Sequence, residues 1–120
     1  KSVKSLGQFV VKHMCGNNWL LLDMMAEIGI DCYQSVQGSA SMDIAEVYKK
    51  YRDDFAVWGG VQVENLIGGN AEDVKKDVSE VMNKIGGKSK FIFGTSHSVA
   101  VGTKYYNFMA MLDEFHKLAD

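Results

Sequence analysis

The clearest folding signal in the chain is the stretch QFVVKHMCGNNWLLLDMMAEIGIDCYQSVQG, residues 8–38. It begins with a β-rich run, continues as a helix candidate over residues 18–28, and returns to a short strand over residues 31–37. We expect Asn17 to cap the helix and Gly29 to end it, because asparagine is a favoured N-cap and glycine tolerates the left-handed conformation after a helix. The stretch therefore predicts a strand–helix–strand unit.

The alternation of strand and helix continues to the end of the chain. The strongest helical signal is a set of apolar residues at i, i+4, i+7, i+8 and i+11, which is the spacing of one buried helix face. Asn70 precedes this helix as its N-cap, and Asp73 completes a capping box. The apolar residues are Val74, Val78, Val81, Met82 and Ile85. Further strands are predicted at 55–58 and 91–93, and further helices at 43–51 and 106–118.

Four consecutive βα units predict the α/β class, with parallel strands joined by right-handed helical crossovers. Two architectures fit this order: half of an eight-stranded (β/α)8 TIM-type barrel, or a small open parallel sheet with helices on both faces. No linker interrupts the 120 residues, so we expect residues 1–120 to form a single domain. In both architectures the functional residues lie at the carboxyl ends of the strands.

The composition excludes several classes of function. The chain has 13 Lys and Arg residues against 15 Asp and Glu residues, and a net charge of −2 gives no reason to expect nucleic acid or an anionic membrane as partner. No apolar run approaches the ~20 residues of a membrane-spanning helix, and no signal peptide opens the chain. The 2 cysteines do not form a disulfide framework. We therefore expect a cytoplasmic protein with free thiols.

Three residues at the ends of the first and fourth strands are candidate metal ligands. His13 and Cys15 are two apart at a strand end, where side chains at i and i+2 point to one face. His97 follows the fourth strand, and two imidazoles with one thiolate suit a zinc ion that keeps one position open. Other roles are also compatible with these residues. Cys15 could pack as a small hydrophobe and His13 could bond to backbone, while His97 could contact substrate directly or be an ordinary loop histidine.

The other strand-to-helix turns supply further candidates. Gln37 ends the second strand and the pair Gly59–Gly60 follows the third, so we expect all three, with His97, to line a substrate site. A glycine pair lets backbone approach a ligand or a neighbouring strand closely. Cys32 begins a strand at the amino end, away from that edge, and is expected in the core. The sequence assigns no catalytic acid, base or nucleophile.

Several segments resemble one known superfamily. The segments that carry the resemblance are VVKHMCGNNWLLLDMMAEIGID (residues 10–31), FAVWGGVQVENLIGG (55–69), AEDVKKDVSEVM (71–82) and FIFGTSHSVAVGTKYYNFMAMLDEF (91–115). With these segments the chain resembles the carboxyl-terminal half of the uroporphyrinogen decarboxylase superfamily, which also contains zinc-dependent methyltransferases that move a methyl group from a corrinoid protein to a thiol.

The resemblance implies a βα barrel in which this chain supplies strands five to eight, as a fragment of a longer protein. Methyltransferases of the superfamily carry His-x-Cys at the positions of His13 and Cys15 and bind zinc there. Their third ligand is usually a cysteine in the last turn, where this chain has His97. The decarboxylases lack His-x-Cys but carry a histidine in that turn, which contacts the porphyrinogen. An acid that is common after the third strand is replaced here by Gln62.

Three functions are compatible with these residues. The leading hypothesis is a zinc-dependent methyltransferase-like protein that activates a thiol acceptor for methyl transfer from a corrinoid on a partner protein. The second is a metal-free, uroporphyrinogen decarboxylase-like enzyme that binds a tetrapyrrole with His97. The third is an inactive half-barrel, and for any of the three we expect the fragment alone to lack activity.

The half-barrel architecture also predicts assembly. The first and fourth strands would be open edges, and the inward face would expose Phe9, Val11, Phe91 and Phe93. Pairing of two copies, or association with the amino-terminal half of the barrel, would cover both edges and both faces. We expect a homodimer, because a symmetric pair of chains covers both open strand edges and both exposed apolar faces at once.

Overall fold

Four parallel strands form one sheet in the computed structural model, which describes residues 3–119. The strands are β1 (Val11–His13), β2 (Cys32–Gln34), β3 (Ala56–Val61) and β4 (Phe91–Thr95). They pair in the order β1-β2-β3-β4, with Val11 opposite Cys32, Cys32 opposite Ala56, and Val57 opposite Phe91. The predicted α/β class with four consecutive βα units is confirmed.

Five helices within residues 3–119 connect or follow the strands. They are α1 (Trp19–Ile28), α2 (Ile44–Tyr51), α3 (Val63–Ile67), α4 (Ala71–Ile85) and α5 (Tyr105–Ala119), with 3-10 turns at Val3–Leu6 and Gly38–Ala40. Each strand lies beside the next one in sequence, and right-handed crossovers then keep the helices on one face of the sheet. This is the order found within a (β/α)8 barrel. No helix within residues 3–119 is both long enough and apolar enough to cross a membrane.

The helix ends follow the sequence signals closely. Gly29 ends α1 with φ 74°, and Asn70 and Asp73 form the predicted capping box at the start of α4. The prediction of Asn17 as the N-cap of α1 was wrong, because the cap position is Asn18. The side-chain amide nitrogen of Asn18 donates to the carbonyl oxygens of Met14, Cys15 and Gly16. These hydrogen bonds hold the loop that precedes α1.

The core lies between the sheet and the helices. Val74, Val78, Val81 and Ile85 of α4 are buried, as the periodicity predicts. Val74 and Val78 pack with Val61, Leu66 and Met111, which ties α4 to β3, α3 and α5. The amphipathic helix α4 is therefore the central packing element of the chain.

The predicted faces of β4 were wrong. Phe91 and Phe93 pack on the helix side, where the ring of Phe93 stacks on Phe115 at 4.3 Å between centroids. Ile92 is 43% exposed on the opposite face, and it shares a groove there with Phe9 and Val11. Alternation along a five-residue strand gives two possible faces, and here the aromatic surface of α5 selects the one that buries both phenylalanines.

Self-association through the uncovered face remains a prediction. Within residues 3–119, β1 and β4 are the edge strands of the sheet. Phe9 is 83% and Val11 is 52% exposed beside them. Open strand edges next to exposed apolar side chains favour pairing with another chain. We expect sedimentation at micromolar concentration to give a dimer, whereas a clean monomer of 13.3 kDa would contradict it.

Candidate metal centre

Three predicted ligands converge at the carboxyl ends of the strands. His13 ends β1, Cys15 follows two residues later, and His97 lies in the turn after β4. One nitrogen from each histidine and the Cys15 sulfur all lie within 4.8 Å of one another. All three side chains are exposed. The structure thus brings together the three residues that the sequence predicts as metal ligands.

This convergence needs a strongly curved sheet. β1 and β4 lie at opposite edges, and three strand spacings would separate them by roughly 14 Å in a flat sheet. The His13 and His97 rings nevertheless meet edge to face, with 5.2 Å between their centroids. Side chains from both edges therefore point toward a common axis, which favours the curvature of a barrel wall over a flat open sheet.

The donor set fits zinc. Zinc accepts imidazole nitrogen and thiolate sulfur, and tetrahedral geometry with its usual bond lengths separates ligand atoms by about 3.3–3.8 Å. His13 Nε2 lies 3.2 Å from Cys15 Sγ, and the whole set lies within 4.8 Å. Small shifts of the three side chains would bring all three ligand atoms to zinc-binding distances. Because the three side chains are exposed, the fourth coordination position would remain open.

The orientation of His13 is fixed by a neighbouring strand. Its Nδ1 contacts Gln34 Oε1, which is an acceptor, so Nδ1 carries the hydrogen and Nε2 presents a lone pair toward Cys15. A partner of this kind commonly sets the tautomer of a metal-binding histidine. Gln34 lies opposite His13 in the register of β1 and β2, so the sheet itself supplies the contact.

Gln37 braces the loop that follows Cys15. Its Oε1 accepts from the Gly16 backbone N–H at 3.0 Å, and its Nε2 donates to Ser39 Oγ at 2.9 Å. Ser39 Oγ in turn donates to the Glu64 carboxylate at 2.7 Å. The structure therefore places Gln37 at the predicted edge, with its amide engaged inside the protein. A substrate contact from Gln37 remains a prediction.

Glu64 supplies a negative charge that sequence reasoning missed. The hydrogen bond from Ser39 holds the pKa of the Glu64 carboxyl below its usual value, with a smaller contribution from the nearby His97. The resemblance pointed to Gln62 as the replacement of an acid at this edge. An acid is present two residues later, on the short helix α3, which has too few residues to show a helical periodicity.

Gly59 and Gly60 lie inside a strand and not in the turn where the sequence places them. They lie within β3, which continues to Val61 beyond the predicted end at residue 58. A Cβ at Gly59 would meet Ile44 at 3.4 Å, and one at Gly60 would meet Val81 at 3.1 Å. Both glycines therefore let α2 and α4 pack closely on β3, and their contact with substrate remains a prediction.

The two cysteines should differ sharply in reactivity. Burial raises the pKa of the Cys32 thiol to about 11, and Asp31 adds to that effect, whereas Cys15 is exposed. Because the thiolate is the reactive form, we expect iodoacetamide at pH 8 to modify Cys15 and spare Cys32 in the folded, metal-free chain. Mass spectrometry of native and denatured samples would measure this, and equal labelling of both in the native sample would contradict it.

Comparison with models of known protein families identifies a family for this chain. The model of the uroporphyrinogen decarboxylase (URO-D) family matches residues 1–118. No curated protein sequence matches the chain. The matched region contains His13, Cys15 and His97, so the candidate centre lies inside the family's own domain.

Proposed function

The chain belongs to the uroporphyrinogen decarboxylase family, and we propose that it binds zinc to activate a thiol acceptor for methyl transfer from a corrinoid carrier. The observation that carries this proposal is the convergence of His13, Cys15 and His97 within 4.8 Å. Metal-free binding of a porphyrinogen does not require a thiol between two imidazoles. A thiol-activating zinc centre does use soft and borderline donors such as these.

The chain's own residues would hold and orient the centre. His13 presents Nε2 because Gln34 engages its other nitrogen, and Gln37 fixes the loop behind Cys15 through Gly16. Bound zinc would supply a Lewis acid that lowers the pKa of a thiol at the open position. The methyl donor would be a substrate carried by a partner protein: the acceptor thiol would lose its proton to solvent, its sulfur would bond to the methyl carbon, and the corrinoid would leave with the electron pair of the broken bond.

A second candidate is a metal-free porphyrinogen-binding enzyme with His97 on the substrate. Family membership and the exposure of His97 in the turn after β4 favour it. Glu64 opposes it, because the hydrogen bond from Ser39 lowers the pKa of this carboxyl and its negative charge lies close enough to His97 to interact with it. A porphyrinogen carries several carboxylates, which Glu64 would repel.

Metal and thiol binding distinguish these candidates. We expect the purified chain to hold about one zinc per chain by elemental analysis. We also expect the cobalt(II)-substituted chain to gain sulfur-to-metal charge-transfer absorption when 2-mercaptoethanol is added. The added thiol would occupy the open position and contribute a second sulfur ligand beside Cys15.

Two results would contradict the proposal. Metal-free protein that binds or consumes uroporphyrinogen would favour the second candidate. A chain that binds neither zinc nor uroporphyrinogen would be an inactive half-barrel.

A further inference from the structure

Ser35 lies between the two turns that carry the candidate ligands. It follows β2, and its side chain is fully buried, with 0% of its surface exposed. Its Oγ donates its single hydrogen to the carbonyl oxygen of Ser96 at 2.8 Å, so across the 3.3 Å contact with Cys15 Sγ it accepts from the thiol of the metal-free chain. Ser96 directly precedes His97. One hydroxyl therefore contacts the sulfur of one ligand and the backbone that leads into another.

The backbone at Ser35 is in a conformation that serine disfavours. Its φ is 79°, in the left-handed region where a Cβ crowds the following carbonyl. Its backbone N–H is also held, because it donates to the carbonyl oxygen of Trp58 at 3.3 Å. Non-glycine residues remain in this region when surrounding contacts over-determine them, and such residues cluster at functional sites. A glycine would adopt this φ without strain and could make the same backbone hydrogen bond. What serine adds at this position is therefore its hydroxyl side chain.

Ser96, which accepts the hydrogen bond from Ser35, is itself held in place by further hydrogen bonds. The Ser96 N–H donates to the Val61 carbonyl oxygen at 2.7 Å, and Ser96 Oγ accepts from the Val63 N–H at 3.0 Å. Ser96 is completely buried. A bond from Ser35 to the Ser96 carbonyl therefore joins the Cys15 side of the centre to a fixed point on β3 and α3, one residue before His97.

We propose that Ser35 is a positioning residue that sets the separation between the Cys15 sulfur and the His97 imidazole for metal binding. The proposal rests on the proposed zinc centre. It explains why a buried hydroxyl with a strained backbone occupies this turn, where neither the sequence pattern nor core packing requires one. Outer contacts of this kind typically change metal affinity by about 10–100-fold when removed.

The test uses Ser35→Gly and Ser35→Ala, with Ser41→Gly as the matched control. Ser41 is also a left-handed serine, with φ 60°, but its surface is exposed and it ends the 3-10 turn at Gly38–Ala40. Both Ser35 variants should weaken zinc binding by about 10–100-fold in competition with a chelating dye. Both should also alter the ligand-field spectrum of the cobalt(II) form. Ser41→Gly should leave affinity and spectrum unchanged.

The Ser35→Gly variant tests whether Ser35 positions the metal ligands or only stabilises the fold. It removes the hydroxyl and also relieves the strained φ, so its thermal midpoint should stay close to that of the wild type while its zinc affinity falls. Wild-type affinity and spectrum in both Ser35 variants would overturn the proposal and leave the zinc centre intact. Loss of affinity that only follows unfolding of Ser35→Gly would also overturn it, because the role would then be structural. A wild-type chain without zinc affinity would overturn the proposed function and this inference together.

Discussion

Val78→Asp is expected to unfold the chain. Val78 is 0% exposed and packs with Val61, Leu66, Val74 and Met111. The substitution forfeits about 1.5–3 kcal/mol of apolar burial. It also places a carboxylate among apolar side chains, which costs several kcal/mol more when no partner compensates it. The free energy of unfolding of a domain is only about 5–15 kcal/mol, so the two losses together remove most of it. Circular dichroism with thermal melting would measure the loss.

Two substitutions on the same helix serve as controls. Asn83→Asp introduces the same carboxylate at an exposed position of α4, and it should cost no more than about 1 kcal/mol. Lys75→Ala removes a surface ion pair with Glu72 at 2.8 Å, and exposed pairs contribute about 0–1 kcal/mol. If Lys75→Ala destabilises as much as Val78→Asp, the orientation of α4 described here is wrong.

The success of the α4 prediction has a physical origin in local chemistry. Asn70, Asp73 and the apolar stripe that contains Val78 all act within one helix, so the sequence alone contains the whole signal. Gly29 is similar, because the left-handed residue after α1 needs no partner from elsewhere in the chain. Long, strongly periodic elements with caps at their ends can therefore be read directly from the sequence.

The face of β4 depends on distant residues. Phe91, Ile92 and Phe93 alternate, but only the presence of Phe115 on α5 determines which side the phenylalanines bury. The short helix α3 has five residues and too little length for a periodic signal. Gly59 and Gly60 were read as a turn because glycine usually interrupts a strand, whereas the close approach of α2 and α4 makes glycine useful inside β3. The errors at β4 and at Gly59–Gly60 therefore come from tertiary packing, whereas α3 is missed because it is short.

The residues of the candidate metal centre also divide into those that the sequence predicts and those that it does not. Parallel strands place His13, Cys15 and His97 at the same, carboxyl-terminal end of the sheet, and the curvature of a barrel wall then brings β1 and β4 close enough for the three to meet, so the sequence could predict the set once a barrel was expected. Ser35 and Glu64 carry no comparable signal. Serine at a strand end and glutamate on an exposed helix are common, and their importance depends on the contacts to Ser96 and Ser39 that only folding creates.

Cys15→Ala is expected to abolish zinc binding. The substitution removes the sulfur from a three-residue centre and leaves the two imidazoles of His13 and His97 without the thiolate that balances the metal's charge. The affinity should fall by more than ~100-fold, which is the upper end of the effect of losing an outer contact alone. Elemental analysis after gel filtration, followed by chelator competition, would measure it.

Cys32→Ala is the matched control for this result, because it removes the other thiol of the chain. Cys32 lies buried in β2 at the amino end of the strand, while the ligands converge at the carboxyl ends. Its alanine variant should keep one zinc per chain, with only the small loss of stability expected from a shortened buried side chain. Equal zinc retention by both variants would remove Cys15 from the centre, and with it the thiolate that distinguishes a thiol-activating site from a pair of histidines.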